Sequence, residues 1–133
     1  MFGDLVCRGC RRFLHEIVDW NGYAEARKAQ VWRRLDRLLA QAMEDKLVIV
    51  DAQLLRHQLE QRRIRFLSNS SPYGWAYQLL AHGARHIRRL EAYGLALRPA
   101  FVEWTLPALR DAIDAEFFAL STACYRREAD SQA

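Results

Sequence analysis

Apolar residues recur along this chain at spacings of three and four, and the breaks fall where glycine, proline and small polar residues gather. Read segment by segment, the pattern predicts five helices. The first spans about Cys10 to Trp20, with Phe13, Ile17 and Trp20 on one side and Asn21-Gly22 as its stop. The second, about Ala24 to Glu44, carries the strongest pattern. Val31, Trp32, Leu35, Leu38, Leu39, Ala42 and Met43 share one arc, and Arg27, Arg33, Arg34 and Arg37 share the other. Leu47 to Val50 is a short β-branched run without a second good strand to pair with, which reads as an extended connector. Asp51 caps a third helix ending near Arg63.

The stretch Ser68-Asn69-Ser70-Ser71-Pro72 is a loop, and Pro72 suits the first turn of a fourth helix running to Tyr93 and closed by Gly94. After Arg98-Pro99 the last helix starts at Ala100 or at Pro107 and continues to about Arg127, leaving Glu128 to Ala133 as a frayed tail. Within it Leu106, Leu109, Ile113, Phe117, Leu120 and Cys124 form a narrow stripe, which fits a seam inside the bundle or between two subunits. The expected architecture is all-α: a small irregular bundle of about five helices, with an N-terminal Cys-x-x-Cys turn.

Length and composition fit this picture. At 133 residues, 51% hydrophobic and 27% charged, the chain has the size and make-up of one globular domain, 1–133, with the turn and a helical hairpin in 1–44 and a helical extension in 45–133. No apolar run approaches the roughly 18 residues of a membrane span, and the start lacks the pattern of a signal peptide. A cytoplasmic location is expected. There thiols stay reduced, so the three cysteines favour metal binding or burial over a disulfide. The net charge of +4 rests on 18 arginines and two lysines, short of the concentrated cationic face of a dedicated nucleic-acid binder. Arg27, Arg33, Arg34 and Arg37, with Arg62, Arg63, Arg65, Arg85, Arg88 and Arg89, could still merge into a basic surface that contacts phosphates, although a solvated face is the simpler reading.

Cys7-Arg8-Gly9-Cys10 is the stretch that suggests chemistry by itself. Two thiolates separated by two residues can grip one metal ion from a tight turn, Gly9 can supply a positive φ, and Cys10 would open a helix whose N-terminus favours a thiolate. Ligation of zinc or a cluster, a redox-active pair, and a merely structural turn are all open. The redox reading lacks the βαβ context of such pairs. Both cysteines are the expected metal ligands, but structural zinc and most iron–sulfur clusters take four donors. His15 would lie about 140° around an ideal helix from Cys10. A lone carboxylate from Asp4 is an unusual partner for two thiolates, and Cys124 sits in the apolar stripe as a buried residue. His82 and His86, four apart, have a metal-holding spacing but adjoin Arg85 and Arg89, which favours a boundary role. Trp20 and Trp32 read as core.

The residues around the motif, Cys7-Arg8-Gly9-Cys10-Arg11-Arg12, then Glu16-Ile17, Trp20, Tyr23, Arg27 and Val31-Trp32-Arg33-Arg34-Leu35, resemble a bacterial domain-of-unknown-function family of predicted iron–sulfur proteins typified by YdhL. The resemblance covers residues 2 to about 40. It implies that Cys7 and Cys10 ligate a cluster or zinc together with an earlier Cys-x-x-x-Cys pair. That pair would lie before Met1, which points to an internal start or a cut and leaves the site incomplete in this chain. The resemblance implies a site and no reaction. With no serine–histidine–acid set, phosphate loop or paired carboxylate motif in the sequence, the chain is expected to be no enzyme. The expected function is that of a non-enzymatic, metal-binding bacterial accessory protein. The alternative is a helical interaction or weak nucleic-acid-binding module, acting through a protein partner or second copy at Leu106, Leu109, Ile113, Phe117 and Leu120 or through the arginine face.

Overall fold

In the computed structural model, which describes residues 5–131, two long helices form the frame. They are α2, Glu25–Met43, and α5, Leu106–Ser131. α2 turns Val31, Leu35, Leu38, Ala42 and Met43 inward, and α5 meets them with Leu109, Ile113, Phe117 and Cys124, all buried. The remaining helices are α1, Leu14–Asp19, α3, Ala52–Gln61, and α4, Pro72–Gly83, with short 3-10 turns at Trp20–Gly22, Leu90–Tyr93 and Pro99–Phe101. Buried apolar side chains from Val6 to Cys124 join in one cluster. No helix among the described residues is long and apolar enough to cross a membrane.

The chain is mostly helical, but a two-stranded sheet departs from the all-α expectation. β1, Leu47–Ile49, pairs antiparallel with β2, Leu95–Leu97, with Leu47 opposite Leu97 and Ile49 opposite Leu95. The β-branched run is therefore a strand, whose partner lies almost fifty residues on, behind the predicted fourth helix. That helix stops at Gly83, ten residues early. Beyond it Arg85, His86, Arg88 and Arg89 crowd like charges into five residues, with Glu91 as the one acidic neighbour at helical spacing, which disfavours continuation. Turning there lets Leu90, Tyr93 and Leu95 reach the core.

Gly94 closes the turn before β2 with φ at +74°, and its carbonyl accepts the Val50 and Asp51 amides at 2.8 and 3.0 Å. A Cβ there would meet the Asp51 carbonyl oxygen at 2.2 Å, so only glycine fits. Asp51 caps α3 as expected, accepting the Leu54 amide at 3.0 Å. Lys46, beside β1, is buried, donates to the Ala42 carbonyl at 2.8 Å and pairs with Glu116 of α5.

Three further boundaries move. α1 begins at Leu14 rather than Cys10, because residues 6–13 fold back on themselves: Val6 bridges Phe13, and the Cys7 amide donates to the Arg12 carbonyl at 2.8 Å. α5 starts at Leu106, where the Thr105 hydroxyl accepts the Ala108 amide at 3.2 Å. It also extends through Glu128 to Ser131, where a frayed tail was expected. The stripe on α5 is an internal seam. Leu109, Ile113 and Phe117 are buried by this chain's own α2 and α4, and the half-buried Leu106 and Leu120 pack on the same cluster.

Candidate functional site

Residues 8–10 form a turn closed by the Arg11 amide, which donates to the Cys7 carbonyl at 2.8 Å. Arg11, not Gly9, takes the left-handed conformation, with φ at +65°. Folding back in this way aims successive backbone N–H groups at one point, the nest geometry that binds anions. Here the group that the turn faces is the chain's own Cys7 sulfur. Cys7 Sγ faces the backbone N–H of Cys10, which is the largest influence on it, together with the Cys10 side chain and the N–H groups of Gly9 and Arg11. These hold the Cys7 thiol below its ordinary value of 9.0, against the opposing effect of burial. Cys10 Sγ in turn accepts from Arg12 Nε at 3.2 Å. Both cysteines are half-buried. Because Cys10 precedes α1 by four residues, the backbone nest does what a helix N-terminus was expected to do.

A ring of arginines fastens the turn to the bundle. Arg11 is buried, bonds the Gly9 and Asp114 carbonyls at 3.2 and 3.1 Å, and lies over the Phe117 ring. Arg12 lies over Trp20 at 4.7 Å and Trp32 at 5.7 Å, and Arg8 over Phe118 at 4.6 Å. Beneath them the fully buried Glu16 accepts the Phe13 amide at 2.9 Å, which closes the N-terminus of α1, and takes a bidentate pair from Arg34 at 2.6 and 2.7 Å. Burial alone would raise the Glu16 carboxyl. The Arg34 and Phe13 hydrogen bonds and the Arg34 charge outweigh it and hold the group below its ordinary 4.5. Tyr77 donates to Asp114, and its burial beside that carboxylate pushes its hydroxyl up to about 12.

Of the residues expected at a site, the structure brings Cys7 and Cys10 together and separates the rest. His15 stacks near Phe13 and Tyr125, and Cys124 is buried in α5. Asp4 lies outside the described residues. His82 is in the last turn of α4 and His86 lies past its end, both exposed, so they do not share a helix face. Among the described residues no group of three or more His, Cys, Asp or Glu side chains is placed to hold a metal. Two sulfurs therefore fit half of a four-donor set.

Arg27, Arg33, Arg34 and Arg37 surround a cavity of about 440 Å³ with Gln30 and Glu128. The four are not equivalent. Arg34 is bound to Glu16 and Arg27 lies 3.7 Å from it, whereas Arg33 and Arg37 are exposed. Trp32 corrects its core assignment: it is 44% exposed, meets the half-buried Trp20 edge to face, and lines a second cavity of about 410 Å³ beside Cys10. The anchoring roles of Arg11, Arg12 and Glu16 did not emerge from periodicity. The available signal was an acid three residues after Phe13, where it can reach back to the amide that starts the helix.

Residues 1–39 match the model of a protein family of unknown function, DUF1289. The match takes in the cysteine turn, α1 and most of α2, which are the parts that Glu16 and Arg34 tie together. It agrees with the expected resemblance at the level of a family without an assigned function. No curated protein and no solved structure matches the chain.

Proposed function

We propose that the Cys7–Cys10 turn is a thiolate grip for a soft metal, zinc or the iron of an iron–sulfur cluster, in a non-enzymatic accessory protein of the bacterial cytoplasm. The observation that carries this reading is the tight turn that holds two half-buried thiols two residues apart, closed by the Arg11 amide on the Cys7 carbonyl at 2.8 Å, with Arg12 Nε donating to Cys10 Sγ at 3.2 Å and the Cys7 thiol held below its ordinary value. Metals bind the thiolate rather than the thiol, and sulfur donors select zinc and iron–sulfur clusters. The turn thus meets part of the deprotonation cost before any ion arrives, and Cys10 offers the second sulfur from the same loop. A tetrahedral site needs two donors more, from residues outside 5–131, a second copy or a partner chain. Once four protein donors surround the ion no coordination position stays open, so the role is structural rather than catalytic.

The test is a zinc titration of the reduced, intact chain against a competing chromogenic chelator, with bound metal counted per chain. Between one ion per two chains and one per chain is expected, with occupancy lost in both Cys7→Ser and Cys10→Ser. Occupancy below roughly 0.1 per chain, far from the near-stoichiometric filling of structural sites, overturns the proposal. So does occupancy that survives both substitutions.

A further inference from the structure

The apolar cavity beside Cys10 has the volume of a small-molecule site, about 410 Å³. Trp32, Leu35 and Leu39 of α2 form one wall, Leu67 and Phe117 others. Trp32 and Leu67 are 44% and 63% exposed, an unusual placement for two large apolar side chains on one rim. The opposite wall is fixed in advance. Asp36 accepts the Ser71 amide and hydroxyl, each at 3.1 Å, while the Leu67 carbonyl accepts from Trp75 Nε1 and Ser70 Oγ, each at 2.8 Å. A preformed cavity spares a ligand the cost of ordering its walls. Inside it the Gln78 amide makes no hydrogen bond to any described residue, and so is free for a ligand oxygen.

Arg33 lines this cavity and also the arginine-lined one of about 440 Å³. It is exposed and has no ion-pair partner among the described residues; the same holds for Arg37. Four guanidiniums gather there against the Glu16 and Glu128 carboxylates, so positive charge is in excess. An apolar slot that shares one arginine with a cationic slot selects for a molecule with both characters. We propose that the two cavities form one binding site for a small amphiphilic anion. Its aromatic or acyl body lies against Trp32, Leu39 and Phe117, and its acid head, a carboxylate, phosphate or sulfonate, rests on Arg33 and Arg37. Cys10 borders the apolar cavity, but the contacts proposed for the ligand are to Trp32, Leu39, Phe117, Arg33 and Arg37, so binding is read on the metal-free chain.

The probe is anilinonaphthalene sulfonate, an aromatic body with an acid head, titrated by fluorescence into the folded, metal-free chain, with octanoate and octanol as competitors. One saturable site per chain is expected, displaced by octanoate and about tenfold less well by octanol, the factor for one charge-assisted contact. Arg33→Gln, at an exposed position, is expected to weaken the probe about tenfold for the same reason. Ala29→Phe, which fills the apolar slot from α2, is expected to abolish saturable binding, and Arg85→Gln, lining neither cavity, to leave it unchanged. Cooperative unfolding of each variant verifies its fold, and if Ala29→Phe does not fold, Arg33→Gln decides alone. The proposal is overturned by non-saturable binding, by octanol competing as well as octanoate, or by wild-type affinity in Arg33→Gln.

Discussion

At the scale of single residues, Glu16 joins the cysteine turn to the bundle. One carboxylate stops the first helix by accepting the Phe13 amide and neutralises Arg34, which lies over the Phe13 ring at 3.9 Å. Removing its charge would leave Arg34 buried without its counter-ion, so Glu16→Gln is expected to lower stability by about 3 kcal/mol in urea unfolding, the scale of a broken buried pair. The pH dependence has a definite sign. Because the folded carboxyl titrates below its ordinary 4.5, the folded chain holds this proton less tightly than the unfolded one. Its stabilisation is complete above about that value and is lost as pH falls through the folded pKa. Thermal melts across this acid range are expected to drop more steeply for the wild type than for Glu16→Gln; parallel curves would contradict the assignment.

At the scale of elements, the sequence made the long helices legible and hid the short pairings. α2, α3 and the inward stripe of α5 follow from periodicity because each buries one face over several turns. Asp51 as a cap and Pro72 in a first turn follow from local chemistry. The sheet does not, since a three-residue strand has too few positions to show alternation, and Leu95–Leu97 acquires meaning only from Leu47–Ile49 across the fold. Likewise the periodic run Leu79, Gly83, Ile87, Leu90 continued on paper through a stretch of like charges that the chain instead uses to turn. Gly94 was read as a stop, and it is one, though for a 3-10 turn. Its close approach to Asp51 makes Gly94→Ala the sharpest test of the strand pairing. A loss of at least about 2 kcal/mol is expected from the left-handed backbone and the clash together. Gly22→Ala, with open space around its Cβ, should stay within about 0.5 kcal/mol.

At the scale of the whole molecule, the α5 stripe decides between a self-contained bundle and a subunit seam. Phe117 is 8% exposed and touches the Arg11 guanidinium, so it closes the core and supports the cysteine turn together. Phe117→Ala is expected to cost about 3 kcal/mol in chemical denaturation, as for a buried aromatic, while sedimentation of the folded chain stays unchanged. A shift in native mass on that substitution would return the stripe to an interface. Of the candidate site, the two cysteines were legible from spacing alone. The nest that holds Cys7 was not, because it depends on one arginine adopting a conformation that sequence gives no reason to expect. The cavities beside Cys10 and Arg33 were hidden for a related reason: their walls come from helices, loop and turn at once.

The central claim is that this fold prepares Cys7 as a thiolate. Its most direct test is the pH dependence of alkylation at Cys7 in the intact, reduced chain, resolved by mass spectrometry and compared with the same chain in urea. The midpoint is expected below 9.0 when folded and to rise on denaturation, as the N–H groups of Gly9, Cys10 and Arg11 are withdrawn. A folded midpoint at or above the denatured one would contradict the nest and the metal grip built on it.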